Sequence, residues 1–243
     1  MAVCPWETMN LVLLLESDFH RDASVRLTGR RLQHVLEVHR ASPGVELCVG
    51  VLGGAVGRGR VTRLDADALE MDVTLDHAPP PKLPLTLVLA LPRPKVLNRV
   101  LAAATSLGVA HIYLMNAWKV EKSYWKSPRL GEDNLLLQRM LGLEQCRDTH
   151  LPDLHLRRLL RPFAEDELPG LLQGSQALLA HPGAAELCPR AVDGPVTLVI
   201  GPEGGFIPAE VELLGRSGCQ PVHVGERILR VETAVAALVG RLF

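Results

Sequence analysis

The chain has 243 residues, of which 47% are hydrophobic and 22% charged, a composition typical of a globular protein with one large domain or two small ones. Its apolar runs are much shorter than the ~20 residues of a membrane-spanning helix, and the run Leu11–Leu15 lacks the flanks of a signal peptide, so we expect a cytoplasmic protein with no membrane partner. No CxxC motif or Cys/His spacing indicates a metal site, so we expect no metal and reduced thiols at Cys4, Cys48, Cys146, Cys188 and Cys219.

The net charge of −1 conceals a positively charged region near the N-terminus. Residues 20–63 contain eight arginines against three acidic residues, whereas the rest of the chain is net acidic. Such a region favours a polyanionic partner, although a solvated arginine-rich surface would give the same count. The RNA-binding candidates in this region are Arg21, Arg26, Arg30, Arg31 and Arg40.

Residues 1–78 are predicted to form a small β-rich domain. A helix is expected from about Gly29 to His39, and the segment 44–75 alternates short apolar stretches with glycines and Asp-rich turns, as in a small β-barrel. Residues 79–84 contain four prolines, which exclude a helix and favour an extended linker.

Residues 85–243 alternate between strand and helix patterns, which predicts an α/β domain with a parallel sheet covered by helices on both faces. The predicted strands are Leu83–Leu91, His111–Met115, Gln176–Pro182, Val196–Ile200 and Pro221–Gly225. The predicted helices are Lys95–Gly108, Asn134–Asp148, Pro208–Gly218 and Glu232–Phe243.

A glycine-rich turn, Gly201–Gly205, joins a predicted strand to a predicted helix. Its sequence GPEGG lacks the Gly-Lys-Ser/Thr of a P-loop and the GxGxxG of a dinucleotide site, and Glu203 would repel a phosphate. The turn therefore suits an uncharged or cationic ligand, unless its purpose is purely structural. Two more strand-end turns, at 178–184 and 223–231, could meet it at the carboxyl edge of the sheet.

Three segments carry a resemblance to a known family: LLAHP, LVIGPEGGF and VGERILRVETA. In this order and spacing they resemble the C-terminal signature of the SPOUT methyltransferases, and more narrowly that of the small-subunit ribosomal RNA methyltransferase E family. That family methylates N3 of one uridine in 16S rRNA. Weaker likeness, in RLQHVLEVHRASPGVEL, ALPRPKVLNRVLAAATSLGV and GLEQCRD, extends the resemblance from Arg26 to Phe243.

The resemblance implies an N-terminal PUA-like RNA-binding β-barrel at 1–78 and a SPOUT trefoil-knot domain at 85–243. It also implies S-adenosylmethionine as cofactor, a homodimer formed through the knot domain, and the 16S rRNA of the small ribosomal subunit as partner. The cofactor-binding residues carried over from the motifs are Leu179, Ala180, His181, Ile200, Gly201, Glu203, Gly204, Gly205, Val224, Gly225, Ile228, Leu229, Arg230, Thr233 and Ala234.

Two residues are candidates for catalysis. The proton on uridine N3 is weakly acidic, so a base must accept it or a cation must stabilise the anion. Arg230 suits the anion, and Glu232 suits proton acceptance or the orientation of Arg230. Glu232 could instead be a first-turn carboxylate that the helix dipole favours.

A second basic stretch, Trp118–Arg129, interleaves lysines with aromatic residues, as in surfaces that stack unpaired bases. The added RNA-binding candidates are Lys119, Lys122 and Lys126, beside Trp118, Tyr124 and Trp125. A surface loop with its aromatic residues tucked inward is the alternative. One departure from the family is Ile207, which stands where a serine helix cap is common.

Other functions remain open on the sequence alone. A different SPOUT methyltransferase would act on a ribose 2′-OH or guanine N1, and a chain without catalysis would be an RNA-binding ribosome-assembly factor. The N-terminal barrel and the RILRxETA form argue against the other methyltransferases, and the complete GPEGG turn with Arg230 and Glu232 argues against an assembly factor.

Overall fold

The structure is a computed structural model that describes residues 10–39 and 41–243. Arg40, one of the predicted RNA-binding arginines, lies outside the described residues. The chain divides into two compact units. The first comprises the chain up to Pro81 together with Met140–Leu151, and the second comprises Lys82–Arg139 and Pro152–Phe243.

The first unit contains a six-stranded sheet that curls into a half-barrel, where the sequence predicts a barrel. Its elements are β1 (Val12–Leu14), β2 (Phe19–Arg21), β3 (Ser24–Leu27), α1 (Gly29–His34), β4 (Glu46–Val51), β5 (Val56–Leu64) and β6 (Leu69–His77). The strand order is β1-β4-β5-β6-β3-β2, with β1 parallel to β4 and the other neighbours antiparallel. A π-helical segment, Val35–His39, continues α1.

Glycines allow β5 and β6 to approach closely. A Cβ atom on Gly57 would lie 1.9 Å from the carbonyl oxygen of Thr74, and one on Gly59 would lie 2.4 Å from Sδ of Met71. Gly57 and Gly59 face inward, while Arg58 and Arg60 between them are exposed. The glycine and arginine alternation of the sequence is therefore the period of a half-buried strand.

The segment Met140–Leu151 packs with the first unit, although sequence analysis placed it in the second domain. Met140 and Leu143 form a buried cluster with Leu11, Leu13 and Cys48. The Thr149 hydroxyl also donates to the carbonyl of Gly54. The apolar run near the N-terminus is thus part of a core.

The second unit confirms the predicted α/β domain with a parallel sheet flanked by helices. Its strands are β7 (Leu83–Ala90), β8 (Val109–Met115), β9 (Asp153–Arg157), β10 (Gln176–Ala180), β11 (Glu186–Leu187), β12 (Val196–Ile200) and β13 (Gln220–His223). Its helices are α2 (Pro94–Ser106), the first part of α3 (Glu132–Cys146, of which the residues from Met140 belong to the first unit), α4 (Leu160–Pro162), α5 (Leu168–Leu171), α6 (Pro208–Arg216) and α7 (Val231–Leu242). A π-helical segment, Phe163–Glu167, precedes α5.

All neighbours in this sheet are parallel, in the order β11-β13-β10-β12-β7-β8-β9. Every residue of β12 is buried, as expected for a central strand covered on both faces. In the part of the chain that the structure describes, no helix is long and apolar enough to cross a membrane, and no three His, Cys, Asp or Glu side chains are grouped to hold a metal ion.

Candidate functional site

Three neighbouring strands, β13, β10 and β12, end at the same edge of the sheet because all three are parallel. The turns that follow them enclose a cavity of about 220 Å³. Crevices of this kind at the carboxyl edge of a parallel sheet are the usual ligand sites of α/β folds. The lining residues are Ala180, His181, Pro182, Ile200, Gly201, Pro202, Glu203, Gly204, Gly205, Phe206, Val222, His223, Val224, Gly225, Arg227, Ile228, Leu229, Val231, Ala234 and Leu238.

The turn after β12 depends on its glycines. Gly205 has φ +67°, in the region that favours glycine, and its N–H donates to the carbonyl of Pro202 at 2.8 Å. A Cβ atom on Gly201 would lie 3.1 Å from the buried ring of Phe206. The chain therefore turns sharply at Gly201–Gly205, and these residues line the cavity.

The turns after β13 and β10 are each fixed by a hydrogen bond that a main-chain N–H donates. Gly225 has φ +143°, and its N–H donates to Nδ1 of His223 at 3.2 Å. The N–H of His181 donates to the carbonyl of Val222 at 2.9 Å, which joins the β10 turn to β13. Ile228, on the cavity wall, is 82% exposed.

Two side-chain hydrogen bonds hold the β12 turn from outside. Glu203 Oε1 accepts from the N–H of Arg93 at 3.0 Å, at the N-terminus of α2. Lys119 Nζ donates to the carbonyl of Gly204 at 2.7 Å. The carboxylate of Glu203 thus has a structural partner, and Lys119, predicted to bind RNA, contacts the predicted cofactor turn.

The structure brings together twelve of the fifteen predicted cofactor residues: Ala180, His181, Ile200, Gly201, Glu203, Gly204, Gly205, Val224, Gly225, Ile228, Leu229 and Ala234. Three others lie elsewhere: Leu179 is fully buried in the core, Arg230 is the exposed N-cap of α7, and Thr233 is exposed on that helix.

Sequence reasoning missed several lining residues next to the motifs: Pro182, Pro202, Phe206, Val222, His223, Arg227, Val231 and Leu238. Val231, Ala234 and Leu238 are spaced by three and four residues, so they lie on one face of α7. The helical period of the sequence would have found Val231 and Leu238.

The predicted catalytic pair is arranged differently from the expectation that Glu232 orients Arg230. Glu232 Oε1 lies 3.6 Å from Nη2 of Arg99, on α2. Glu232 is half-buried, and the guanidinium of Arg230 is exposed. Arg99 was not predicted, because no local pattern connects it to a residue so distant in sequence.

The predicted RNA-binding arginines of the first unit differ in their availability. Arg31 is 16% exposed, and it donates to both carboxylate oxygens of Asp18 and to the carbonyl of Leu13. Arg30 makes a two-pronged ion pair with the buried Glu144, at 3.0 and 2.8 Å. Arg21 and Arg26 are exposed, and Arg26 lies opposite Glu70 on β6. The hydrogen bonds of Arg31 are thus made within the first unit, which they stabilise.

The aromatic residues of the 118–129 segment also differ. Trp118 is 77% exposed. Trp125 is half-buried, its indole N–H donates to Asn116 Oδ1 at 2.9 Å, and Arg158 lies 5.5 Å from its ring centroid. Tyr124 packs partly buried against the core. Lys122 and Lys126 are exposed. Trp118 therefore points outward, whereas Tyr124 and Trp125 are tucked inward as in the alternative interpretation.

Comparison with known proteins identifies the family of the second unit. Residues 79–242 match the RNA methyltransferase domain family. The chain is 28% identical over 235 residues to the Ribosomal RNA small subunit methyltransferase E of Treponema pallidum, which covers 94% of this chain and 88% of that one. The protein of the same name from Mycobacterium bovis is 28% identical over 222 residues, covering 85% of this chain and 81% of the relative.

Solved structures share the fold over nearly the whole chain. The Ribosomal RNA small subunit methyltransferase E of Neisseria gonorrhoeae, bound to S-adenosyl methionine, gives a TM-score of 0.71 at 23% identity and covers 95% of both chains. A Legionella pneumophila protein in complex with bound SAM gives a TM-score of 0.74 at 22% identity, over 94% of this chain and 95% of that one.

Proposed function

This chain belongs to the RNA methyltransferase domain family, and we propose that it is a cytoplasmic enzyme that transfers the methyl group of S-adenosylmethionine to N3 of a uridine in 16S rRNA. The observation that carries the proposal is the cavity formed by three turns at the ends of β13, β10 and β12. The small-subunit relatives named above direct the proposal to the small ribosomal subunit.

The lining fits the proposed cofactor. An adenosine and a thioether need shape and backbone hydrogen bonds more than charge, and most of the lining is apolar or glycine. The lining has no P-loop or GxGxxG pattern, and Glu203 disfavours an anionic ligand. When bound, S-adenosylmethionine supplies an electrophilic methyl group on a cationic sulfur. Gly201, Gly204 and Gly205 would hold it from one side and Val224–Leu229 from the other, with Leu179, Arg230 and Thr233 supporting these segments.

We further propose a trefoil knot in this unit. Strand β13 lies between β10 and β11, although residues 181–185 already connect those two strands. After β13 the chain returns to pack α7 against α2 and β12. A threaded chain requires a segment that enters between two connected strands and emerges on another part of the sheet. Such threading is a rare exception to ordinary chain topology.

A homodimer through the same unit is part of the proposal. The outer side of α7 carries small exposed residues, Ala236, Ala237 and Gly240, and the exposed side chains of Leu187 and Phe243 lie on neighbouring segments of the chain. Small residues permit close helix packing, and exposed apolar side chains favour association. One copy of the same chain would cover this surface in a symmetric pair.

The proposed chemistry replaces the proton on uridine N3 with a methyl group. In this proposal Arg230 donates hydrogen bonds to the uridine oxygen that gains charge as the proton leaves. In the same proposal Glu232 accepts the proton that leaves N3, and its ion pair with Arg99 fixes the carboxylate at the start of α7. Arg21, Arg26, Lys122 and Lys126 are exposed and would neutralise phosphates of the RNA. In this proposal Arg30 and Arg31 stabilise the first unit.

The test is methyl transfer from labelled S-adenosylmethionine to small ribosomal subunits that lack uridine-N3 methylation, with the product nucleoside identified by mass spectrometry. We expect N3-methyluridine, and a loss of about 100-fold or more in turnover for Arg230→Ala, the size of effect that follows removal of one donor to a developing anion. The matched control is Arg216→Ala, since Arg216 is an exposed arginine paired with Glu212 on α6. A methylated ribose or guanine would contradict the proposed target, and no cofactor binding would contradict the enzyme.

A further inference from the structure

Trp118 is a large exposed side chain whose backbone is rigidly placed. A lone exposed apolar residue is ordinary, so its 77% exposure alone indicates nothing. Its neighbours at Ala117 and Val120 are buried, and the N–H of Val120 donates to the carbonyl of Ala117 at 3.0 Å. This tight turn holds Trp118 and Lys119 at its exposed tip.

Two contacts fix that tip beside the cavity. The N–H of Trp118 donates to Glu210 Oε1 at 2.7 Å, and Glu210 is a carboxylate only 7% exposed. The adjacent Lys119 donates to the carbonyl of Gly204, a cavity-lining residue, at 2.7 Å. The indole of Trp118 is therefore exposed to solvent, and the next residue, Lys119, is hydrogen-bonded to the cavity wall.

The charge around the indole favours a polyanion. Lys119, Lys122 and Lys126 follow it within eight residues, with Glu121 as the acidic residue among them. An exposed indole flanked by cations is the combination that binds unpaired nucleotides, since the ring stacks on a base while the cations neutralise its phosphates. A hydrophobic partner protein would not require these lysines.

We propose that Trp118 stacks on an unpaired base of the RNA substrate and positions that RNA at the mouth of the methyl-donor cavity. The inference rests on the proposed function, because it names a substrate contact for that reaction. Tyr124 and Trp125 suit this role less, since both are partly buried and Trp125 already contacts Asn116 and Arg158.

The variants Trp118→Ala and Trp118→Phe test the proposal in the full-length protein. The measurements are KM and kcat for methyl transfer to small ribosomal subunits, Kd for the subunit by filter binding, Kd for S-adenosylmethionine by calorimetry, and the sedimentation coefficient. We expect Trp118→Ala to raise KM and the subunit Kd by roughly 5- to 100-fold, the loss of one stacked base, with kcat and cofactor affinity unchanged. Trp118→Phe keeps an aromatic ring and should recover most of the loss.

Leu159→Ala is the matched control, because Leu159 is another exposed large apolar side chain of the same unit. It should leave all of these measurements unchanged. An unchanged subunit Kd for Trp118→Ala would overturn the inference, as would a variant that weakens only cofactor binding or that changes the oligomeric state. A wild-type protein that binds subunits without methylating them would refute the proposed function, and the comparison of subunit Kd values would still decide the role of Trp118.

Discussion

Cys219 lies immediately before β13 and is buried in the core of the second unit. Burial raises the pKa of its thiol from 9.0 to about 11. A raised pKa means that the unfolded chain ionises first, so the stability present below pH 9 is lost as the pH rises towards 11. By pH 10.5 the loss from this one group is about 2 kcal/mol.

The prediction is tested with Cys219→Ala, which removes the thiol and leaves every other titrating group in place. The free energy of unfolding, from guanidinium denaturation between pH 8 and pH 10.5, should fall more steeply for the wild type than for the variant. Parallel pH profiles would show that the folded thiol ionises as readily as the unfolded one.

At the residue scale, the sequence predicted positions whose role depends on local backbone geometry. Gly205 and Gly225 lie in turns that the sequence predicted from its glycines, and both have positive φ on the cavity wall. Roles that depend on distant partners were not accessible. The sequence predicts Arg31 as a surface cation, but in the structure it is paired with Asp18. Likewise, the partner of Glu232 is Arg99, which is distant in sequence.

At the scale of elements, α6 begins without a side-chain cap. Its N-cap residue is Ile207, with φ −81° and ψ 159°, and an isoleucine side chain has no atom that can accept a hydrogen bond. Glu210 supplies half of a capping box, since its Oε2 accepts from the N–H of Ile207 at 3.0 Å. Pro208 at the first helical position further favours the start of the helix.

We predict that Ile207→Ser is more stable than Ile207→Ala by about 1 kcal/mol. Both variants lose the same apolar side chain, so the comparison isolates the hydrogen bond from a serine cap to the first turn. Urea denaturation midpoints measure the difference. Equal midpoints would mean that Glu210 and Pro208 already supply all the capping that this helix needs.

Elements with a strong period or a long apolar run were predictable. The strands β7 and β12 are mostly apolar, and β12 is buried throughout while β7 is buried from Leu87 to Ala90, as their sequences indicate. The short strands β9 and β11 lie at the two edges of the sheet, where few residues are buried and little pattern remains. The helices α4 and α5 were missed because Pro162 and Pro169 argue against a helix, yet Pro169 stands near the start of α5, where proline is tolerated.

At the scale of the whole chain, strand order was beyond the reach of the sequence. Strand patterns predict that a parallel sheet forms, but nothing local indicates that β13 enters between β10 and β11. Strand order follows from which apolar surfaces meet after the chain has folded, and no local sequence pattern records those contacts. The packing of Met140–Leu151 with the first unit was not predictable for the same reason, since its partners lie near the N-terminus.

That packing leads to a prediction for a chain that begins at Lys82, just after three consecutive prolines. Such a chain keeps Met140, Leu143 and Glu144 but loses their partners in the first unit, namely Leu11, Leu13, Cys48 and Arg30. Exposing the two apolar side chains costs about 3–6 kcal/mol, a large part of the 5–15 kcal/mol that stabilises a typical domain. We expect residues 82–243 to unfold at a lower temperature than the full chain and to form aggregates larger than a dimer. Light scattering and thermal unfolding measure both effects.

Adding Met140→Gln and Leu143→Gln to the shortened chain is the control. These substitutions remove the exposed apolar surface, so they should restore a uniform species. A shortened chain that is already uniform and as stable as the full one would show that Met140–Leu151 contributes little to the first unit.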